Sequence, residues 1–152
     1  MTVSSSVVFA DSQQSSAGLR FAPLRHLAER ITTEPLEAAW IEPTVSQIVE
    51  LMRLPNNWDS YGAARISESA AFAMVDVLRA VLPHDVIKPW IVPSSSGHLQ
   101  AEWHVNGIDL EVEVVSATSI FVAVEGEGNP WDDHLKTDLT KLAKVFGRLR
   151  AA

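Results

Sequence analysis

His98-Leu99-Gln100-Ala101-Glu102-Trp103-His104-Val105-Asn106-Gly107-Ile108-Asp109-Leu110-Glu111-Val112-Glu113-Val114-Val115 reads as one β-hairpin, and that reading decides the fold. Apolar and polar residues alternate strictly on both sides of Asn106-Gly107, the dipeptide that most readily supplies the two positive φ angles of a type I′ turn. With Val105 and Ile108 flanking a two-residue loop, the register follows by counting. Trp103 faces Leu110, Glu102 faces Glu111, Ala101 faces Val112 and Gln100 faces Glu113. One face then carries Leu99, Ala101, Trp103, Val105, Ile108, Leu110, Val112 and Val114. A face this apolar needs a cover, because an isolated hairpin is marginal in water. The other face shows His98, Gln100, Glu102, His104, Asp109, Glu111 and Glu113, and it is predominantly acidic.

Outward from the hairpin, Pro89-Trp90-Ile91-Val92-Pro93 is a short β-rich run bounded by prolines, which confines it to an edge. Ser94-Ser95-Ser96-Gly97 turns the chain into the hairpin, and Ser119–Glu125 is a further strand. Ser67 predicts the N-cap of a helix running to about Leu82, whose Ala70, Ala71, Phe72, Met74, Val75, Val77, Leu78, Val81 and Leu82 leave little polar face. A second helix is expected over 44–54, with Thr44 and Gln47 as a capping box and Pro55 as its stop. Asn129-Pro130, reinforced by Asp132 and Asp133, predicts the start of a last helix to about Arg150, with Leu135, Leu139, Leu142, Phe146 and Leu149 as its seam. Residues 1–20 are expected as a flexible N-terminal tail, with Val7-Val8-Phe9 as an added edge strand, and a short helix is expected from near Pro23. The fold expected is therefore α+β in two layers. An antiparallel β-meander of three to four strands is covered on one face by helices, in a single domain over 21–152.

The chain has 152 residues, enough to bury one core, and its 47% hydrophobic and 20% charged composition is ordinary for a globular domain. Twelve Lys and Arg against 19 Asp and Glu leave a formal net charge of −7. That balance disfavours a general role on phosphate backbones, Arg148 and Arg150 being the basic patch nearest to one. Zero cysteines exclude disulfides and thiolate metal sites. No window approaches a membrane span, and the start of the chain makes a poor signal peptide, so a cytoplasmic location is the expectation.

Asn57-Trp58-Asp59-Ser60-Tyr61-Gly62-Ala63, then Ile66-Ser67, then Pro89-Trp90-Ile91-Val92-Pro93, then Gly97–Trp103 and Asp109–Glu113, resembles a family of small bacterial proteins. Those proteins carry a Gly-Trp-Asp-Gly-Tyr-Gly-Ala-like loop, a Pro-x-Ile-x-Pro run, a Gly-rich turn and a Glu-Trp strand. The similarity covers roughly residues 44 to 115. It implies one coherent domain and a bacterial or phage source, and it carries no activity with it. Here Asn57 and Ser60 stand where glycines are common, and Asn tolerates positive φ better than Ser does.

Two constellations carry candidate chemistry. Glu102, His104, Asp109, Glu111 and Glu113 share the polar hairpin face, where Glu102 directly opposes Glu111. Like charges so placed are destabilising unless something offsets them. The first reading is a solvated face whose charges point apart or are met by Lys and Arg from elsewhere; the alternatives are a metal ion and a basic protein surface. Trp58, Asp59 and Tyr61 form the other. An aspartate between two aromatics suits a general base or a site for a cationic or sugar-like ligand, but more often such an Asp caps backbone N–H groups while the aromatics fill the core edge.

No phosphate loop, nucleophile elbow or zinc-protease motif occurs, and the Ser94–Ser96 run has no base positioned in sequence. No catalytic residue, metal ligand or cofactor is therefore assigned. The expected function is a small acidic protein-binding module of antitoxin, immunity or inhibitor type that meets a basic protein surface. The alternatives are a metal-assisted hydrolase or small-ligand binder using the polar hairpin face, and a subunit of a larger assembly. The seam of the 130–150 helix reads first as the side of a helix laid across the sheet and, as the alternative, as a homodimer contact.

Overall fold

The computed structural model describes residues 38–126 and 128–150. The expected tail, the strand at 7–9 and the helix near Pro23 lie outside the described residues. Within them the chain runs α1 (Ile41–Leu51), α2 (Glu68–Val81), β1 (Trp90–Pro93), β2 (Leu99–Val105), β3 (Ile108–Ser116), β4 (Ser119–Gly126), β5 (Trp131–Leu135) and α3 (Thr140–Leu149). The class is α+β, and every sheet pairing is antiparallel, in the order β1-β2-β3-β4-β5. The sheet has five strands, not three to four.

The hairpin forms in the counted register, from Leu99 opposite Val114 to Val105 opposite Ile108. Asn106 and Gly107 take φ of 56° and 74°, so both central residues supply the left-handed backbone that a twisted two-residue turn requires. Gly126 of β4 lies opposite Ile108 at φ 108°, and an added Cβ there would overlap the Gly107 carbonyl. Only glycine lets β4 pass that close to the turn.

The alternation sorts the strands as expected: Leu99, Ala101, Trp103, Ile108, Leu110, Val112 and Val114 are buried, joined by Ile91, Ile120, Val122, Val124 and Leu135. Helix α2 packs on β2 and β3. Its cap is as read, with the Ser67 hydroxyl accepting from the Ala70 amide. Trp103 anchors the centre: its ring meets Phe146 of α3 edge-on at 5.0 Å, and its indole N–H donates to the Ile87 carbonyl at 2.9 Å. The one polar atom of this large side chain is thereby satisfied.

Two helix expectations are corrected. Helix α1 begins at Ile41, with Trp40 as N-cap and no side-chain cap bond, so Thr44 and Gln47 are interior residues and no capping box forms. Thr44 is buried instead, and the Gln47 amide reaches β1, donating to the Ile91 carbonyl at 3.0 Å and accepting from the Ile91 amide at 3.2 Å. The larger correction falls at 129–139. Asn129 caps no helix; Trp131–Leu135 is strand β5, and Asp132 and Asp133 are strand residues. The helix starts at Thr140, where Asp138 rather than Asn129 accepts from the first-turn amide at 3.0 Å. The Thr140 hydroxyl, with that backbone bond second, holds the Asp138 carboxyl below the ordinary range. The spacing of Leu135, Leu139 and Leu142 mimics helical period, while Trp131, Asp133 and Leu135 also alternate, and pairing with β4 selects the strand.

Candidate functional site

The face of the sheet opposite Trp103 is assembled by register. Trp90, Glu102, Glu111, Ala123 and Asp132 make one cross-strand row; Val92, Gln100, Glu113, Phe121 and His134 make the next; His104, Asp109 and Glu125 make a third. The expected residues Glu102, His104, Asp109, Glu111 and Glu113 therefore come together, and β4 and β5 add Glu125 and Asp132. Six carboxylates share these rows, and no Lys or Arg occupies any position in them. At the β1 edge, Lys88 places its ammonium 5.8 Å from the exposed Trp90 ring. Glu125 was legible from the alternation of 119–125, whereas Asp132 and His134 were hidden by the helix reading of their segment.

Of the opposed Glu102 and Glu111, Glu102 is compensated locally. Gln100 donates to Glu102 at 2.9 Å, and His104 sits between two carboxylates, with Nδ1 2.6 Å from Asp109 and Nε2 3.6 Å from Glu102. The bond to Asp109, with the field of Glu102, raises the His104 pKa above its ordinary value of 6.5. A hollow of about 230 Å³ opens beside it, lined by His104, Asp109, Glu111, Ala123 and Glu125. Among the described residues no group of three or more His, Asp or Glu is arranged to hold a metal ion. At the far end of the face, His98 Nδ1 lies 3.8 Å from Glu113 and 3.2 Å from the Ser96 hydroxyl, which contacts Ser94 at 2.7 Å. A base does stand beside the serine run. Serine and carboxylate address the same ring nitrogen, however, whereas a Ser–His–acid relay runs through both.

Trp58, Asp59 and Tyr61 do not join this face. One Asp59 oxygen accepts from the Tyr61 amide at 2.8 Å and the Ala63 amide at 3.0 Å. These two bonds, Ala63 first, hold its carboxyl below the ordinary range. Asn57 accepts from Gly62, Asn56 accepts from Arg65, and Trp58 donates to the Ala64 carbonyl at 3.2 Å. The loop is tied to the serine turn by the Ala64 amide on the Ser95 carbonyl and the Ser67 amide on the Gly97 carbonyl. Asn57 and Ser60 both adopt positive φ, 61° and 67°, the angles that glycine accepts without strain. Asp59 thus has the capping geometry, but the expectation that both aromatics fill the core edge is corrected. Trp58 is half-buried, while Tyr61 is 94% exposed. Its side chain projects from a loop whose polar bonds to other described residues run to backbone groups.

The basic residue nearest to a nucleic-acid footprint is already engaged, since Arg150 makes two bonds to Asp85. No described helix is long and apolar enough to cross a membrane. No protein-family model, curated protein or solved structure matches this chain.

Proposed function

We propose that this chain is a protein-binding module, of antitoxin, immunity or inhibitor type in bacteria or phage, that docks a basic surface on the outer face of its sheet. The observation that carries the reading is the set of six carboxylates, Glu102, Asp109, Glu111, Glu113, Glu125 and Asp132, sharing cross-strand rows that contain no Lys or Arg. In this reading the domain is two-layered: the helices form one layer over Trp103 and Leu110, and the sheet forms the second with its acidic side turned out. Complementary charge of this kind accelerates encounter and discriminates against wrong partners. A strand framework holds the carboxylates at fixed spacing without the entropic cost of ordering a loop. His104 belongs to the same surface, since the two carboxylates beside it favour its cationic form and temper the charge at one end.

The test is capture from bacterial lysate at low and at moderate salt, with intact-mass analysis of what is retained. The wild-type chain retains a basic protein stoichiometrically, less of it as salt rises. The charge reversal Glu111→Lys with Glu113→Lys releases it while the circular dichroism spectrum is unchanged. Retention by the double variant equal to that of the wild type would show that the acidic face is the wrong surface.

A further inference from the structure

The two edges of the sheet are finished differently. At β1 the Gln47 side chain pairs with both the amide and the carbonyl of Ile91, so a group shaped like a peptide unit occupies the outer hydrogen-bonding row. At β5, among the described residues, no further strand pairs with Trp131–Leu135 on the side away from β4. Asp132 and His134 are exposed, and a hollow of about 320 Å³ lies between Asp133–Leu135 and the segment running to Lys141. Among the described residues the outer backbone row of β5 thus has no strand partner, and such a row is a template for another strand.

We propose that the β5 edge is a self-association surface, on which a second copy of this chain adds its own β5 antiparallel about a two-fold axis at Asp133. A two-fold antiparallel pair must place some residue opposite itself, and side-chain chemistry selects which. Centring on Asp132 sets that carboxylate against its own copy. Centring on His134 opposes two imidazoles and sets Asp133 against Leu135, gaining only an Asp132 to Lys136 approach beyond the strand end. Centring on Asp133 sets Asp132 against the second copy's His134, twice, on the outer face. It also sets Trp131 against the second copy's Leu135, twice, on the inner face. The central Asp133 pair is already compensated, because each carboxylate lies 3.0 Å from its own Lys141 ammonium. That ammonium also covers the Trp131 ring at 4.0 Å, which fixes it beside the strand. Opposite charges and apolar pairs at directly facing positions are the contacts that stabilise antiparallel pairing.

An edge of five residues buries less than the ~1,200 Å² of a standard interface, so the association is weak and concentration-dependent. The formal charge of −7 on each copy opposes it at low salt.

The test is analytical ultracentrifugation of the full chain at about pH 6 and ~0.15 M salt, from low micromolar to about 1 mM, with amide hydrogen exchange on the same samples. The mass rises toward twice the monomer value, and protection at 131–135 rises with it. Asp132→Lys weakens association at least tenfold, and adding His134→Asp restores it, because the pair is inverted across the axis. Both positions are exposed, and circular dichroism reports that each variant is folded. A wild-type chain monomeric throughout overturns the proposal, as does a dimer whose 131–135 amides are no better protected. A Kd insensitive to Asp132→Lys, or a swap that fails to restore pairing, overturns the register. Capture of an extended foreign peptide at β5 by a chain that stays monomeric would overturn the choice of occupant.

Discussion

The inner and outer faces of the 98–115 hairpin are made by alternate residues of the same two strands, yet they answer to different forces. On the inner face Leu99, Ala101, Leu110, Val112 and Val114 are completely buried, and removal of apolar area from water sets the energetics. On the outer face His104 and Asp109 remain more than half exposed, and solvent screens the direct pair they make. One face therefore stabilises the molecule, and the other is free to be shaped for recognition.

The largest test of that division is Trp103→Ala. It leaves a cavity against Phe146 and removes the bond to Ile87, so urea denaturation is expected to show a loss of ~3–5 kcal/mol. Next is Gly126→Ala, where a Cβ meets the Gly107 backbone at φ 108°. Strain of this kind costs on the order of 1–3 kcal/mol, and the same denaturation series reads it. On the outer face, Glu111→Gln relieves the opposition to Glu102 and is expected to raise stability by no more than about 0.5 kcal/mol. A loss above 1 kcal/mol on this last change would mean that the outer face is structural after all.

The smallest effect is in the pH dependence. A raised His104 pKa contributes stability that is fully present below the ordinary value of 6.5 and is lost as pH rises through the higher folded value. Proton NMR of the imidazole is expected to show a midpoint above 6.5, and Asp109→Asn to lower it, since that carboxylate is the main cause. A midpoint unmoved by Asp109→Asn would remove His104 from the paired set. In the 57–63 loop, Asp59→Asn keeps an acceptor for the Tyr61 and Ala63 amides that Asp59→Ala removes. The alanine variant is expected to melt at the lower temperature of the two.

How legible each part was follows from how local its cause is. The hairpin register depended on a two-residue turn and a period of two, both contained within eighteen residues. The Ser67 cap depended on one hydroxyl and an amide three residues on. By contrast Gln47 looked like half of a capping box because its true partner, Ile91, is 44 residues away. Trp131–Leu135 looked like a helix start because Asn-Pro followed by acids is a strong local signal, and the competing signal, pairing with Ile120–Val124, lies in another strand. Four of the six carboxylates of the acidic face were readable from the hairpin alone; Asp132 and His134 reach it only once β5 is recognised as a strand.

By itself the sequence determined the α+β class, the hairpin with its register, the buried helix α2 and the acidity of one hairpin face, because each follows from periodicity and short-range stereochemistry. The fifth strand, the sealing of β1 by Gln47, the exposure of Tyr61 and the extent of the acidic rows come from long-range packing. Those depend on which distant backbone groups and surfaces meet, and a residue's own neighbours in the chain carry no record of that.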